Sequence, residues 1–227
     1  IFCLSCGRKT NKSFNQGHCY PCLKRLAACD QCIIKPELCH FHEGTCREPE
    51  WGQAHCLQSH IVYLANSSGL KVGVTRATQI PTRWIDQGAS QALPLFEVSE
   101  RRIAGLLEVA IRTVVSDRTN WRRMLKGTPD QLDLVAERER LLAQADAAID
   151  PVTEAIDPGQ ARLMKEASPI QIQYPVSEYP QKISALNLDK TPRIRGRLIG
   201  IKGQYLILDS GVLNIRKFGG YRLTLEY

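Results

Sequence analysis

After His60 the chain has no cysteine and no histidine. That absence removes thiol nucleophiles, imidazole bases and the soft metal ligands from everything downstream. The chain also lacks any run of about twenty apolar residues, which excludes a helix long enough to span a bilayer, and its N-terminus lacks the charged-then-apolar pattern of a secretion signal. A soluble, cytoplasmic protein with no membrane partner is expected. The sequence opens at Ile1 rather than Met, so an N-terminal piece is expected to precede it. Acidic charge is in short supply: 23 Asp and Glu face 30 Lys and Arg, a net charge of +7. A basic balance suits an anionic partner, RNA or DNA, although many basic surfaces bind nothing in particular. With 227 residues, 43% of them apolar, the chain can bury a real core and hold more than one folded unit.

What is present is concentrated at the start. All nine cysteines and all five histidines fall in the first sixty residues. Cys3-Leu-Ser-Cys6 and Cys19-Tyr-Pro-Cys22 are two C-x2-C pairs twelve residues apart, a spacing at which two knuckles close a tetrahedral thiolate site around Zn2+. Disulfides are the competing reading, and an intracellular setting disfavours them. A third pair, Cys29 and Cys32, is followed by Cys39, His42, Cys46 and Cys56. Cys29 and Cys32 with two of Cys39, Cys46 and Cys56 are expected to hold a second zinc, with His42 as the chief substitute. Closed sets of this kind leave no open coordination position, so the metal is structural and any chemistry lies elsewhere.

Ile61 to Ala65 and Leu70 to Thr75 read as two strands joined by the turn Asn66-Ser67-Ser68-Gly69. Pro81 to Gln87 reads as a helix stopped by Gly88, and Ala92 to Val98 as a third strand. A second helix, capped by Ser99, is expected to run from Ile103 to about Ser116 on the apolar positions 103, 106, 107, 110, 111 and 114. Glu108 falls at the border of that apolar face, where a half-desolvated carboxylate can hold a divalent ion or simply sit at the surface. Arg83 can meet charge on a phosphodiester with Arg76 as a second phosphate contact, or either can form a plain ion pair. Tyr63 is a proton relay or a core tyrosine.

This ββαβα order, with these residues, resembles the GIY-YIG nuclease fold over residues 60 to 120. Ile61-Val62-Tyr63 stands at the first triplet and keeps its tyrosine; Lys71-Val72-Gly73 stands at the second, keeping the glycine and placing lysine where the family has tyrosine. Thr82-Arg83-Trp84 occupies the helix of the catalytic arginine, and Glu108 with Asn120 matches the metal-binding glutamate and the asparagine beyond it. The resemblance implies a catalytic set of Tyr63, Lys71, Arg83 and Glu108, with Mg2+ or Mn2+ on Glu108. Along its whole length the chain is also similar to the bacterial family called domain of unknown function 2797, through CGRKTNKSFNQGHCYPC, GTCREPEWG, LANSSGLKVGVTR, RWIDQGA, SDRTNW and GIKGQYLILDSGVLNIRKF.

The expected organisation is α+β: a zinc-binding segment (1–59), the GIY-YIG-like core (60–123), a helical spacer (124–170) and a basic β-rich domain (171–227), a small antiparallel sheet or open barrel. Net charge along the last three runs +4, −4 and +5 for residues 61–123, 124–170 and 171–227. Strands are expected at Gly196 to Ile201, Gln204 to Leu208, Val212 to Ile215 and Tyr221 to Leu225. Arg193, Arg195, Arg197, Lys202, Arg216 and Lys217, interleaved with Tyr205, Phe218 and Tyr221, are expected as a nucleic-acid face or as ordinary solvent-facing residues. Three functions follow: a nucleic-acid-binding zinc protein that cleaves phosphodiesters, a non-catalytic RNA- or DNA-binding module, and a zinc-built protein-interaction adaptor.

Overall fold

The computed structural model describes residues 1–227. The N-terminal region has little regular structure: α1 (Tyr20–Arg25), a series of single 3-10 turns between Ala27 and Glu43, and α2 (Pro49–Cys56). There follow β1 (His60–Asn66), β2 (Leu70–Arg76), α3 (Thr82–Asp86), β3 (Gln91–Val98) and α4 (Arg101–Ile111), in the expected order of strand, strand, helix, strand, helix. Beyond them lie α5 (Trp121–Met124), α6 (Leu134–Glu154), β4 (Ala161–Leu163), β5 (Ile170–Gln171), β6 (Leu198–Lys202), β7 (Tyr205–Leu208) and β8 (Gly211–Asn214). The chain is α+β, with antiparallel sheets.

β1 lies between β2 and β3 and is buried along its whole length. Its side chains alternate between two cores. Val62 and Leu64 face α4 and α6, while Ile61, Tyr63 and Ala65 meet Trp84, Ala89 and Ala92. Burial on both faces is why Ile61 to Ala65 is a continuous apolar run instead of an alternating one. Tyr63 pairs with Gly73 across the hairpin. A Cβ on Gly73 would lie 2.8 Å from the Tyr63 hydroxyl oxygen, so the ring needs glycine opposite it.

α4 buries Ile103, Ala104, Leu107, Ala110 and Ile111 and then stops, short of the expected Ser116. The reason is a competing pairing: Val72 donates to the Ser116 carbonyl at 2.9 Å, which draws residue 116 alongside β2. Ser99 is not the helix cap; Glu100 occupies that position without a side-chain cap bond.

The acidic helix expected as a spacer is instead part of the central layer. Asp133 caps α6 by accepting from Val135 and Ala136, and Leu141, Ala145 and Ile149 enter the same core as α4. β4 and β5, from the connection that follows, both pair with β3 and extend the central sheet. The solvated face of α6 is as charge-rich as expected, with Arg140 and Glu137 paired at 2.6 Å.

The C-terminal sheet has three strands, β6, β7 and β8, packed on Met124 and Leu125 near α5. Tyr221 to Leu225 forms no strand. Phe2 donates its backbone N–H to the Gly220 carbonyl at 2.7 Å, and the Arg222 guanidinium lies 4.4 Å from the Phe2 ring centre. The tail is therefore engaged with the N-terminal segment and not with β8.

Candidate metal centre and anion cleft

Cys3, Cys6, Cys19 and Cys22 converge, their sulfurs all within 4.8 Å of one another and those of Cys6 and Cys19 3.7 Å apart. The first pair sits on a tight turn closed by Gly7 donating to the Cys3 carbonyl at 2.9 Å. The second starts α1, with Cys19 as N-cap and Pro21 in the first turn, where a missing N–H costs nothing. Cys3, Cys19 and Cys22 are buried and Cys6 is exposed. Burial opposes ionisation of Cys3, yet backbone N–H groups of Cys6, Cys19 and Ser5 aimed at its sulfur lower its pKa to about 5. Burial and the neighbouring thiols push Cys22 up to about 12. Four soft donors at this separation, one stabilised as thiolate by the backbone, fit a closed tetrahedral metal site of the zinc kind.

Further along, Cys32, Cys39, Cys46 and Cys56 line one small enclosed cavity. Cys29, expected among the second set of ligands, does not line it and ends a separate 3-10 turn. His42, expected as the substitute ligand, is turned away: its Nε2 is 2.7 Å from Glu100 Oε2.

The residues that carry the nuclease resemblance divide between two environments. Tyr63 is fully buried and donates to Gln87 Oε1 at 3.0 Å; Lys71, also buried, donates to the same oxygen. Lys71, Arg83 and Gln87 line a cleft of about 350 Å³, to which Gln16 and Arg216 also contribute from opposite ends of the chain. Tyr63 lies beneath that cleft and does not line it. Burial raises the Tyr63 pKa to about 12, with the Glu108 charge adding to the effect and Arg83 opposing it. Burial lowers Lys71 to about 8; the Arg83 charge pushes the same way, and the Glu108 and Asp117 carboxylates oppose it.

Glu108 does not line the cleft either. It stands on α4, which packs against Val62, Leu64 and Val72, whereas Tyr63 belongs to the core on the other face. Burial raises the Glu108 pKa to about 7, with the nearby Asp117 carboxylate contributing. Asp117 is itself paired with Arg112 at 3.1 Å. The Asn120 side chain caps α5 by accepting from the Arg123 N–H at 3.1 Å, and its backbone N–H donates to Ser68 Oγ at 2.9 Å.

The expected nucleic-acid contacts are scattered. Arg76 is half-buried at the end of β2. Arg195, Arg197, Arg216 and Lys217 are exposed, and Arg216 alone among them faces the cleft, held by its Nε donating to Gln16 Oε1 at 2.6 Å. Lys202 is a correction: it is completely buried, donates to the Gly127 carbonyl at 2.8 Å and lies over the rings of Tyr174 and Tyr179. Tyr205 and Phe218 are buried and Tyr221 is half-buried; Tyr205, its ring stacked on Trp121, lines the cleft together with Arg216. Sequence reasoning missed Gln87, although it lies four residues after Arg83 and thus on the same side of that helical turn. Gln16 and Asp117 carried no comparable signal.

The fold and its thiolate cluster define an α+β protein with a candidate four-cysteine metal centre at its N-terminus. Over residues 1–223 the chain matches the family described as "Protein of unknown function (DUF2797)", and it belongs to that family. No curated protein and no solved structure matches it. The likeness to the GIY-YIG fold thus rests on the quoted residues and the element order.

Proposed function

We propose that this is a zinc-stabilised protein that binds RNA or DNA through the phosphate backbone, in the cleft lined by Lys71, Arg83 and Arg216. The observation that carries this reading is Arg83: half-buried, it makes no ion pair with any carboxylate, yet it faces the cleft beside two further cations. Asp86 is the one carboxylate lining the cleft and forms no salt bridge with Arg83, so three cations face a single acid there. Such an excess is stabilised by an anion, and phosphate oxygens match the planar donors of a guanidinium. Lys71 adds positive charge below its lowered pKa of about 8. The test is binding to mixed single-stranded and duplex RNA and DNA across a salt series. Affinity should fall steeply with salt, and Arg83→Ala and Arg216→Ala should each reduce the log–log slope by about one. No binding at low salt, or a flat salt dependence, refutes the reading and favours an adaptor.

A second reading, cleavage of the bound phosphodiester with Mg2+ or Mn2+ at Glu108, is favoured by one feature: Glu108 and Asp117 are neighbouring carboxylates, and a divalent cation relieves such repulsion. Glu108→Gln should then abolish cleavage while leaving binding intact. If the wild type with either metal cleaves neither RNA nor DNA, binding alone remains.

A further inference from the structure

We infer that Cys32, Cys39, Cys46 and Cys56, without Cys29, form a second structural metal centre, of the zinc type, that clamps the loop around residues 30–39 onto α4. Three observations carry this, and none depends on the function of the cleft.

The first is convergence. All four residues line one small cavity, and the Cys39 thiol interacts with those of both Cys32 and Cys56. The Cys46 thiol donates to the Glu48 carbonyl at 3.6 Å and has to turn from it to complete the set. Cys39 and Cys56 are buried, Cys32 and Cys46 are half-buried, and all nine cysteines of the chain are free thiols. The donors arrive from separate places: the 3-10 turn Gln31–Ile33, the residue closing the turn Pro36–Leu38, the approach to α2, and the end of α2.

The second is the lack of an apolar core: the segment is held by a few polar contacts, such as Arg47 Nε to Asp30 Oδ2 at 2.7 Å and the Ala27 N–H donating to Glu48 Oε2 at 2.7 Å. No apolar core of the molecule contains a residue between Ala27 and Ser59. Single 3-10 turns have poor hydrogen-bond geometry and do not persist alone. A defined conformation here needs a cross-link, and a tetrathiolate metal supplies one.

The third is what the loop does. Arg101, the first residue of α4, donates Nη2 to the Ile33 carbonyl at 2.6 Å and Nε to the Cys32 carbonyl at 3.4 Å. One turn further, Gly105 meets the loop so closely that a Cβ there would lie 2.3 Å from the Glu37 backbone nitrogen. Glu108 follows on the same helix, with Glu37 among the charges acting on it. The centre thereby fixes the helix that carries Glu108 from the side opposite the sheet.

Asp30 and His40 form a rival set with Cys32, their ligand atoms lying within 4.8 Å of one another. Asp30 is engaged by a full charge, while His40 keeps its Nε2 3.5 Å from Asp30 Oδ2. Asp30 Oδ2 is 2.7 Å from Arg47 Nε, and His40 Nδ1 is 2.7 Å from Thr45 Oγ1. Thiolates are the softer donors and take the metal in preference, with the Asp30–His40 pair behind them.

The test is native mass spectrometry of the purified full chain, which should carry two zinc ions. A single ion in the wild type overturns the proposal without recourse to any variant. Cys39→Ser and Cys56→Ser should each reduce the count from two to one, whereas Cys29→Ser and His40→Gln should retain two. Loss on Cys29→Ser or His40→Gln overturns the ligand set. Hydrogen exchange during graded chelation of the wild type reads the clamp. Departure of the second ion should deprotect residues 30–39 and the first turns of α4 together while β1 stays protected; α4 protection that is indifferent to that ion overturns the clamp.

Discussion

The first fifty-nine residues and the central layer beside them order the chain by different means. In the central layer, Val62, Leu64, Leu95, Leu107 and Leu141 are wholly removed from water in one core. In the N-terminal region the one buried apolar cluster is itself made of Cys3, Cys19 and Cys22, with Leu26 against it. Burial orders the central layer, while the N-terminal region gathers thiols where the central layer gathers apolar side chains. One boundary residue, His60, marks the change: it is the last histidine of the chain, fully buried at the start of β1, and burial lowers its pKa to about 4. Its Nε2 has no hydrogen-bond partner, and Arg101 and Cys39 are among the charges acting on it.

Removing metal should split the two regions most sharply. Metal in a structural thiolate site contributes folding free energy on the order of 10 kcal/mol. Prolonged chelation, or Cys22→Ser, should make residues 1–59 rapidly cleavable by protease while a fragment from about residue 60 resists. Simultaneous digestion of both regions would show that they unfold as one. The complementary lesion lies in the core: Leu107→Ala should cost about 2–5 kcal/mol, with cavity formation adding to lost transfer energy. Thermal unfolding should register the loss, with metal content unchanged.

The seam between the regions offers a smaller, more pointed effect. Gly→Ala inside an exposed helix ordinarily stabilises by up to about 1 kcal/mol. At Gly105 the sign should reverse, because the new methyl collides with the backbone of Glu37 and Pro36. A loss of about 1–3 kcal/mol in denaturant unfolding is expected from such overpacking, with both metals retained.

The contrast between regions also explains what the sequence revealed. Thiol positions and apolar periodicity are local signals, so the first metal site and the strand–helix order of 60 to 111 were legible from Cys3, Cys6, Cys19, Cys22 and the Ile61 to Ala65 run. Long-range pairing is not local. Nothing in the composition of Gly-Gln-Ala-Arg-Leu, residues 159–163, announces that it pairs with β3, and the polar surface of α6 concealed that its stripe of Leu141, Ala145 and Ile149 completes the main core. Lys202 looked like a solvent-facing strand cation, because sequence alternation does not show that Tyr174, Tyr179 and the Gly127 carbonyl enclose it. The cleft was invisible for the same reason: Gln16, Arg83 and Arg216 are far apart in sequence.

The smallest expected effect concerns Glu108, and its sign separates a buried acid from a metal ligand. Its pKa is about 7 in the folded chain, against 4.5 for the free group, chiefly because burial disfavours the charge. Between those values the unfolded chain has released the proton that the folded chain still holds, so stability falls as pH rises from about 4.5 through about 7 and then levels. Glu108→Gln has no charge to bury. It should match the wild type near pH 5 and exceed it by about 1–2 kcal/mol at pH 7.5, as urea titrations at the two values would show. Lys71 contributes an opposite trend, because its pKa is lowered to about 8 and its penalty is relieved only above that value; the Glu108 charge opposes that lowering, so Glu108→Gln increases the Lys71 penalty and takes back part of the gain at pH 7.5. Adding Mg2+ or Mn2+ then divides the two readings of the site. If Glu108 and Asp117 hold a divalent ion, millimolar metal should raise wild-type stability at pH 7.5 and leave Glu108→Gln unmoved, since ligation favours the ionised carboxylate that burial disfavours. If metal changes neither protein while the variant stays the more stable, Glu108 is an acid confined by the packing of α4, and the metal-dependent reading of the site is refuted.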